Sequence, residues 1–168
     1  VSIAYDDYAI YIGAMMYDPH PDSILRQLGE RDDNLNADNF TVSFDTYNQK
    51  LDAFVFSVSA SGVQSDYRYS DYSFNAVWQC KVKIHENGWS VEMEIPFSAL
   101  RFANGDSIIW KAQFEREIRR SRTQLQWSLV SKNYQNIINY WGNLIGFEEL
   151  KNPIRLQFSP YLSGNFQE

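Results

Sequence analysis

Trp78-Gln79-Cys80-Lys81-Val82-Lys83-Ile84-His85 and, after Glu86-Asn87-Gly88, Trp89-Ser90-Val91-Glu92-Met93-Glu94-Ile95 decide the fold class. In the first stretch Trp78, Cys80, Val82 and Ile84 alternate with Gln79, Lys81, Lys83 and His85. In the second, Trp89, Val91, Met93 and Ile95 alternate with Ser90, Glu92 and Glu94. A side-chain period of two with one apolar phase is the pattern of a half-buried antiparallel strand. The Asn87-Gly88 pair between the stretches predicts a type I′ hairpin. Outward from this hairpin the period repeats. Ile10, Ile12 and Ala14 share one phase, as do Phe40, Val42 and Phe44, then Ile108, Trp110, Ala112 and Phe114, and finally Leu125, Trp127 and Leu129. Turn chemistry at Asn48-Gln49-Lys50, Ser61-Gly62 and Asn104-Gly105-Asp106 separates the runs, giving about eight or nine strands. Helix is confined to two turns, one capped by Ser23 and running through Ile24, Leu25 and Leu28, the other at Pro96-Phe97-Ser98-Ala99-Leu100. The expectation is an all-β domain. Its length favours an antiparallel two-sheet β-sandwich, jelly-roll-like, over a small closed barrel.

Composition narrows the function. The chain has 168 residues, 44% of them apolar and 16% aromatic, enough for a sizeable core. Its net charge of −6 argues against nucleic acid and anionic membranes as partners, since both select basic patches. One cysteine, Cys80, forbids an internal disulfide, and His20 and His85 are too few and too distant for a histidine-based zinc site. No apolar run is long enough for a transmembrane helix. Val1 opens directly into a strand-like pattern with no initiator Met, as expected of a mature or trimmed piece.

Catalytic signatures are missing: no Gly-x-Ser-x-Gly, Gly-x-Gly-x-x-Gly, phosphate loop, His-Glu-x-x-His or cysteine pair occurs. Three other features carry chemistry. In Arg31-Asp32-Asp33-Asn34-Leu35-Asn36-Ala37-Asp38, Asp32, Asn34, Asn36 and Asp38 fall at alternate positions. Such hard oxygens suit calcium, with Asp45 and Asp18 as further carboxylates. An Asx-rich loop bonded to its own backbone is the alternative. The second feature is the aromatic surplus. Trp78, Trp89, Trp110 and Trp127 lie on the apolar phase and are mostly core. Tyr67, Tyr69 and Tyr72, in the polar loop Gln64–Tyr72, are expected to be exposed and available for stacking. The third is Glu115-Arg116-Glu117-Ile118-Arg119-Arg120-Ser121-Arg122, either an anion site or, as surface charge runs usually are, a solvated hairpin tip neutralised by Glu115 and Glu117.

Several blocks, in order and spacing, carry a resemblance: Tyr11-Ile12-Gly13-Ala14-Met15-Met16-Tyr17-Asp18, Pro21-Asp22-Ser23-Ile24, Phe44-Asp45-Thr46-Tyr47-Asn48, Gly62-Val63-Gln64-Ser65-Asp66, Ala76-Val77-Trp78, and Gly88 through Phe102. Together they resemble the family 9 carbohydrate-binding-module-like domain, in the version that precedes a predicted β-barrel in large bacterial outer-membrane proteins. The match runs from about Ala4 to Gly164. It implies a non-catalytic β-sandwich over residues 1–150, lacking its front edge strand, which binds a glycan or oligosaccharide through aromatic stacking and polar side chains. It also implies structural calcium in some relatives, a place in the cell envelope at the outer membrane, and a partnership with the chain's own barrel or an outer-membrane complex. Trp127 and Arg116 fall where that version carries Trp and Arg, so the expected ligand residues are Trp127, Arg116, Tyr67, Tyr69 and Tyr72. An interaction or plug-like accessory domain without a sugar ligand is the alternative. Residues 151–168 form a linker and a last strand, in which Ile154, Leu156, Phe158 and Leu162 alternate with polar residues. That pattern fits the sandwich's final strand or the first strand of a membrane barrel, and the resemblance favours the barrel.

Overall fold

Alternation becomes antiparallel pairing throughout the computed structural model, which describes residues 1–105, 108–131, 133–148, 150 and 152–153. The strands are β1 (Ser2–Tyr5), β2 (Ala9–Tyr17), β3 (Asn39–Asp45), β4 (Phe54–Ser59), β5 (Gln64–Arg68), β6 (Gln79–His85), β7 (Gly88–Pro96), β8 (Ile108–Ile118), β9 (Thr123–Gln126) and β10 (Gly142–Phe147). One sheet has the order β1-β2-β7-β6. The other has the order β10-β8-β3-β4-β5. β3 occupies one edge of β8, so β9 and β10 share the other: β10 pairs with Ile108–Ala112 and β9 with Glu115–Ile118. The apolar phases face each other, and Ile10, Ile12, Val42, Phe44, Phe56, Trp89, Met93, Ile95 and Trp110 are buried between the sheets. Burying side chains of this size contributes roughly 1.5–3 kcal/mol each, which makes this interface the main stabilising element. Trp110 anchors an aromatic cluster, with Phe147 at 4.5 Å and Phe44 at 5.6 Å between ring centres.

Local details depart from the sequence reading in four places. The hairpin between β6 and β7 is present, with His85 facing Gly88, but Asn87 lacks the positive φ that a type I′ turn requires. Gly88 itself has φ 141° and pairs with Tyr17, and a Cβ there would overlap the Met16 carbonyl. The glycine serves the close approach of β2. Gln64–Arg68, expected as loop, is strand β5, because Asp66 and its neighbours pair with β4. The turn near Ser23 is a single 3-10 turn at Pro21–Ser23, and no helix follows it through Leu28. Phe97–Ala99 forms the expected turn as one 3-10 turn. Finally, Leu125, Trp127 and Leu129 are exposed rather than core. Trp127 continues the inward phase of the sheet, yet it is 56% exposed beyond the edge of the opposite sheet. The candidate barrel strand, Ile154 to Phe166, lies outside the described residues. Asn152 ties the end of the described chain back, donating from Nδ2 to the Phe102 carbonyl at 2.7 Å.

Candidate functional site

The inward phase of β3, β4 and β8 is the core, so the opposite phase forms an outer face. Across it, Glu115, Thr41, Ser57 and Ser65 stand in register, beside the row Glu117, Asn39, Ser59 and the row Gln113, Ser43, Val55, Tyr67. Half of this face is roofed. The segment after β9 crosses Gln113, whose amide donates to the Ser128 carbonyl at 2.6 Å and accepts the Ser128 N–H at 2.9 Å. Under that roof Ala53, Ile138 and Trp141 make a second small core against Tyr69. The other half stays open as a groove of about 380 Å³, with Asn39, Thr41, Ser57 and Ser65 along its floor, Tyr67 and Val55 at one end, Glu115 and Glu117 at one side, and Asp32–Leu35 as the facing wall. Its volume is within the range of small-ligand sites, roughly 300–1,000 Å³.

The tyrosines form one array. Tyr67 stacks on Tyr72 at 5.3 Å and on Tyr69 at 6.1 Å, and Tyr69 meets Trp141 edge-on. Tyr67 and Tyr69 are half-buried, which corrects the expectation that all three are exposed. Only Tyr72 is, at 78%. Burial pushes the Tyr67 hydroxyl up from its ordinary range, with Tyr72 and Glu115 adding to it. Tyr69 is pushed up by burial, Tyr67 and Glu115. Both shifts place the Glu115 charge near the aromatic array.

Trp127 and Arg116 lie elsewhere. Trp127 is in an apolar cleft of about 400 Å³ with Val1, Met15, Tyr17 and Leu125, between the edge of the smaller sheet and β9. Its ring packs on Phe114 at 5.4 Å and lies so close over Gly142 that a Cβ there would overlap it. Arg116 also lines this cleft, but its guanidinium is tied up, donating to the Tyr17 carbonyl at 2.5 Å and to Asp18 at 3.1 Å. Arg120 grips both oxygens of Asp18 at 2.8 Å. The arginine run is thus a hairpin tip, as expected, but its main neutralising carboxylate is Asp18, and Glu115 instead accepts from Gln126. The five expected ligand residues therefore divide between two clefts.

The proposed calcium ligands are not gathered either. Asp32 accepts the Asp66 N–H at 2.9 Å and donates its own N–H to the Gln64 carbonyl, so it closes the free edge of β5. Beside it Arg31 pairs with buried Asp66, which also accepts from the Ala76 N–H and from Trp78 Nε1 at 3.1 Å. Asn34 is exposed on the groove wall. Asn36 and Asp38 hold the hairpin tip, accepting from Arg119 Nε and the Arg119 N–H at 3.1 Å each. Asp45 is at the opposite end of β3 from Asp38, capping the next loop through the N–H groups of Tyr47 and Lys50. Among the described residues no three of His, Cys, Asp and Glu are grouped to hold a metal ion. As placed, Asp32, Asn36, Asp38 and Asp45 each accept from a backbone or arginine N–H of a neighbouring segment.

The sequence reading missed Asn39, Thr41, Ser57 and Ser65. Their signal was the outward phase of β3, β4 and β5, where short hydroxyl and amide side chains stand in place of the longer charged residues seen on β6 and β7.

Two solved structures share this fold. A family 9 carbohydrate-binding module from Caldicellulosiruptor kristjanssonii, in complex with glucose, aligns over 90% of this chain and 78% of its own, with a TM-score of 0.61 and 16% identity. A putative carbohydrate-binding protein from Bacteroides uniformis aligns over 85% and 75%, with a TM-score of 0.68 and 12% identity. No family model matches the sequence, and no curated protein matches it. At these identities the likeness establishes the β-sandwich.

Proposed function

We propose that this domain is a non-catalytic carbohydrate-binding module whose saccharide lies in the outer groove of the larger sheet. The observation that carries the reading is a hydroxyl- and amide-lined floor that meets Tyr67, the member of the Tyr69–Tyr67–Tyr72 stack that lines the groove. Saccharides present alternating apolar faces and hydroxyl rims, and proteins meet them with aromatic rings beside short polar side chains. The structural neighbour solved with glucose supports the same ligand class. Glu115 and Glu117 rise from one strand on one side of the groove, whereas glycoside hydrolysis places its two carboxyl groups on either side of the scissile bond. Titration calorimetry with neutral oligosaccharides tests the reading. Tyr67→Ala should weaken binding by about 1–3 kcal/mol, the loss of a central aromatic contact. Trp127→Ala, in the other cleft, should leave the affinity unchanged.

The setting we propose is the cell envelope, with the domain carried in front of an outer-membrane β-barrel. The period-two pattern from Ile154 to Leu162 and the family resemblance support that setting. A second reading, a docking module of such a barrel or complex, is favoured by the exposed Leu125 and Trp127 at the other cleft. Absence of binding to every saccharide tested would leave that reading in its place.

A further inference from the structure

We infer that the groove selects its saccharide by charge, preferring units that carry a protonated amine to their neutral counterparts and refusing uronates. This rests on the sugar-binding reading above. The floor of Asn39, Thr41, Ser57 and Ser65 is neutral and serves any sugar hydroxyl, so it does not discriminate. The sides do. Asp32 and Asp33 stand on one wall and Glu115 and Glu117 on the other, and no Lys, Arg or His is among the residues lining the groove.

The nearby cations offset only part of this charge, and Glu115 is in no ion pair among the described residues. Arg31 directs its guanidinium to buried Asp66 and the Ala76 carbonyl, and reaches Asp32 only at 3.7 Å. Arg119 pairs with Glu117 at 3.0 Å. Glu115, which stands in register with Thr41 and lines the groove, accepts from the neutral amide of Gln126 at 2.6 Å, a partner that brings no opposing charge. Its field reaches the tyrosine array, where it helps to raise both Tyr67 and Tyr69. An ammonium held over the floor would find a charge-assisted acceptor in Glu115. A ligand carboxylate at the same place would meet a like charge with no cation to offset it, and like-charge juxtaposition is the usual means of excluding a wrong partner.

The test titrates the full chain, at mildly acidic pH and low salt, with three trisaccharides: of glucosamine, of N-acetylglucosamine and of galacturonate. The first two differ in whether the nitrogen is charged. The glucosamine trimer should bind about 3- to 10-fold more tightly than the acetylated one. That advantage should shrink as salt is added, and the galacturonate trimer should not bind. Glu115→Gln should lower the ratio of the two amino-sugar affinities towards one. Equal affinities, binding of galacturonate, or a ratio that Glu115→Gln leaves intact would overturn the charge selection while leaving a sugar site in the groove. Binding of none of the three, nor of neutral glucose- or xylose-based oligosaccharides, would overturn the sugar-binding reading as well.

Discussion

Asp66 shows how much one side chain can organise. Its buried carboxylate gathers Arg31, the Ala76 N–H and the Trp78 indole, and so fixes β5, the loop that walls the groove and the entry to β6. Removing one partner of a buried pair leaves the other uncompensated. Asp66→Ala should therefore cost about 3 kcal/mol in urea unfolding, at the low end for such pairs because Arg31 is partly solvated. Two other carboxylates respond to pH in opposite directions. Hydrogen bonds from Arg120, with help from the His20 N–H and the Arg116 charge, hold Asp18 below the ordinary carboxylate range. Its folded value lies under its unfolded one, so its contribution is present at neutral pH and lost as pH falls through the acid range. Burial pushes Asp38 up, and its contribution is present only in acid and lost as pH rises through its folded value. Unfolding curves across pH should show Asp18→Asn less stable than the parent at neutral pH, the gap closing in acid. Asp38→Asn, whose Oδ1 can still accept the Arg119 N–H, should be at least as stable as the parent at neutral pH, with its advantage fading in acid.

At the scale of elements, the loop before β3 carries the clearest lesson about what a sequence discloses. Alternate oxygens from Asp32 to Asp38 read equally as metal ligands or as backbone acceptors. Distance along the chain does not say which N–H will arrive from β5 or from the hairpin after β8. The structure commits Asp32 to β5, and Asn36 and Asp38 to Arg119. Any calcium-dependent rise in melting temperature should therefore survive Asp32→Asn and Asp38→Asn, and its loss in either variant would contradict these assignments. Strands were legible wherever one face is core, as in β2, β3, β6, β7 and the inward half of β8, because burial enforces the period. β5 was not legible. Both its faces are partly covered, one by the core and one by the tyrosine array, so its composition reads as a polar loop. Trp127 shows the converse: phase predicted its direction, but only the extent of the facing sheet determined its exposure.

For the whole molecule, the two sheets divide their labour. Their facing sides form a continuous apolar core, while the outer side of the larger sheet is half roofed and half open. Fold class followed from period and turn chemistry. The groove did not, because it depends on where the segment after β9 stops covering the sheet. The central claim is that this open half holds a saccharide. Amide chemical-shift mapping during titration with a neutral oligosaccharide that binds tests it most directly. The shifts should concentrate at Asn39, Thr41, Ser57, Ser65, Tyr67 and Glu115, with Tyr17, Leu125 and Trp127 unmoved. Shifts centred instead on Tyr17, Leu125 and Trp127 would contradict it and move the site to the other cleft.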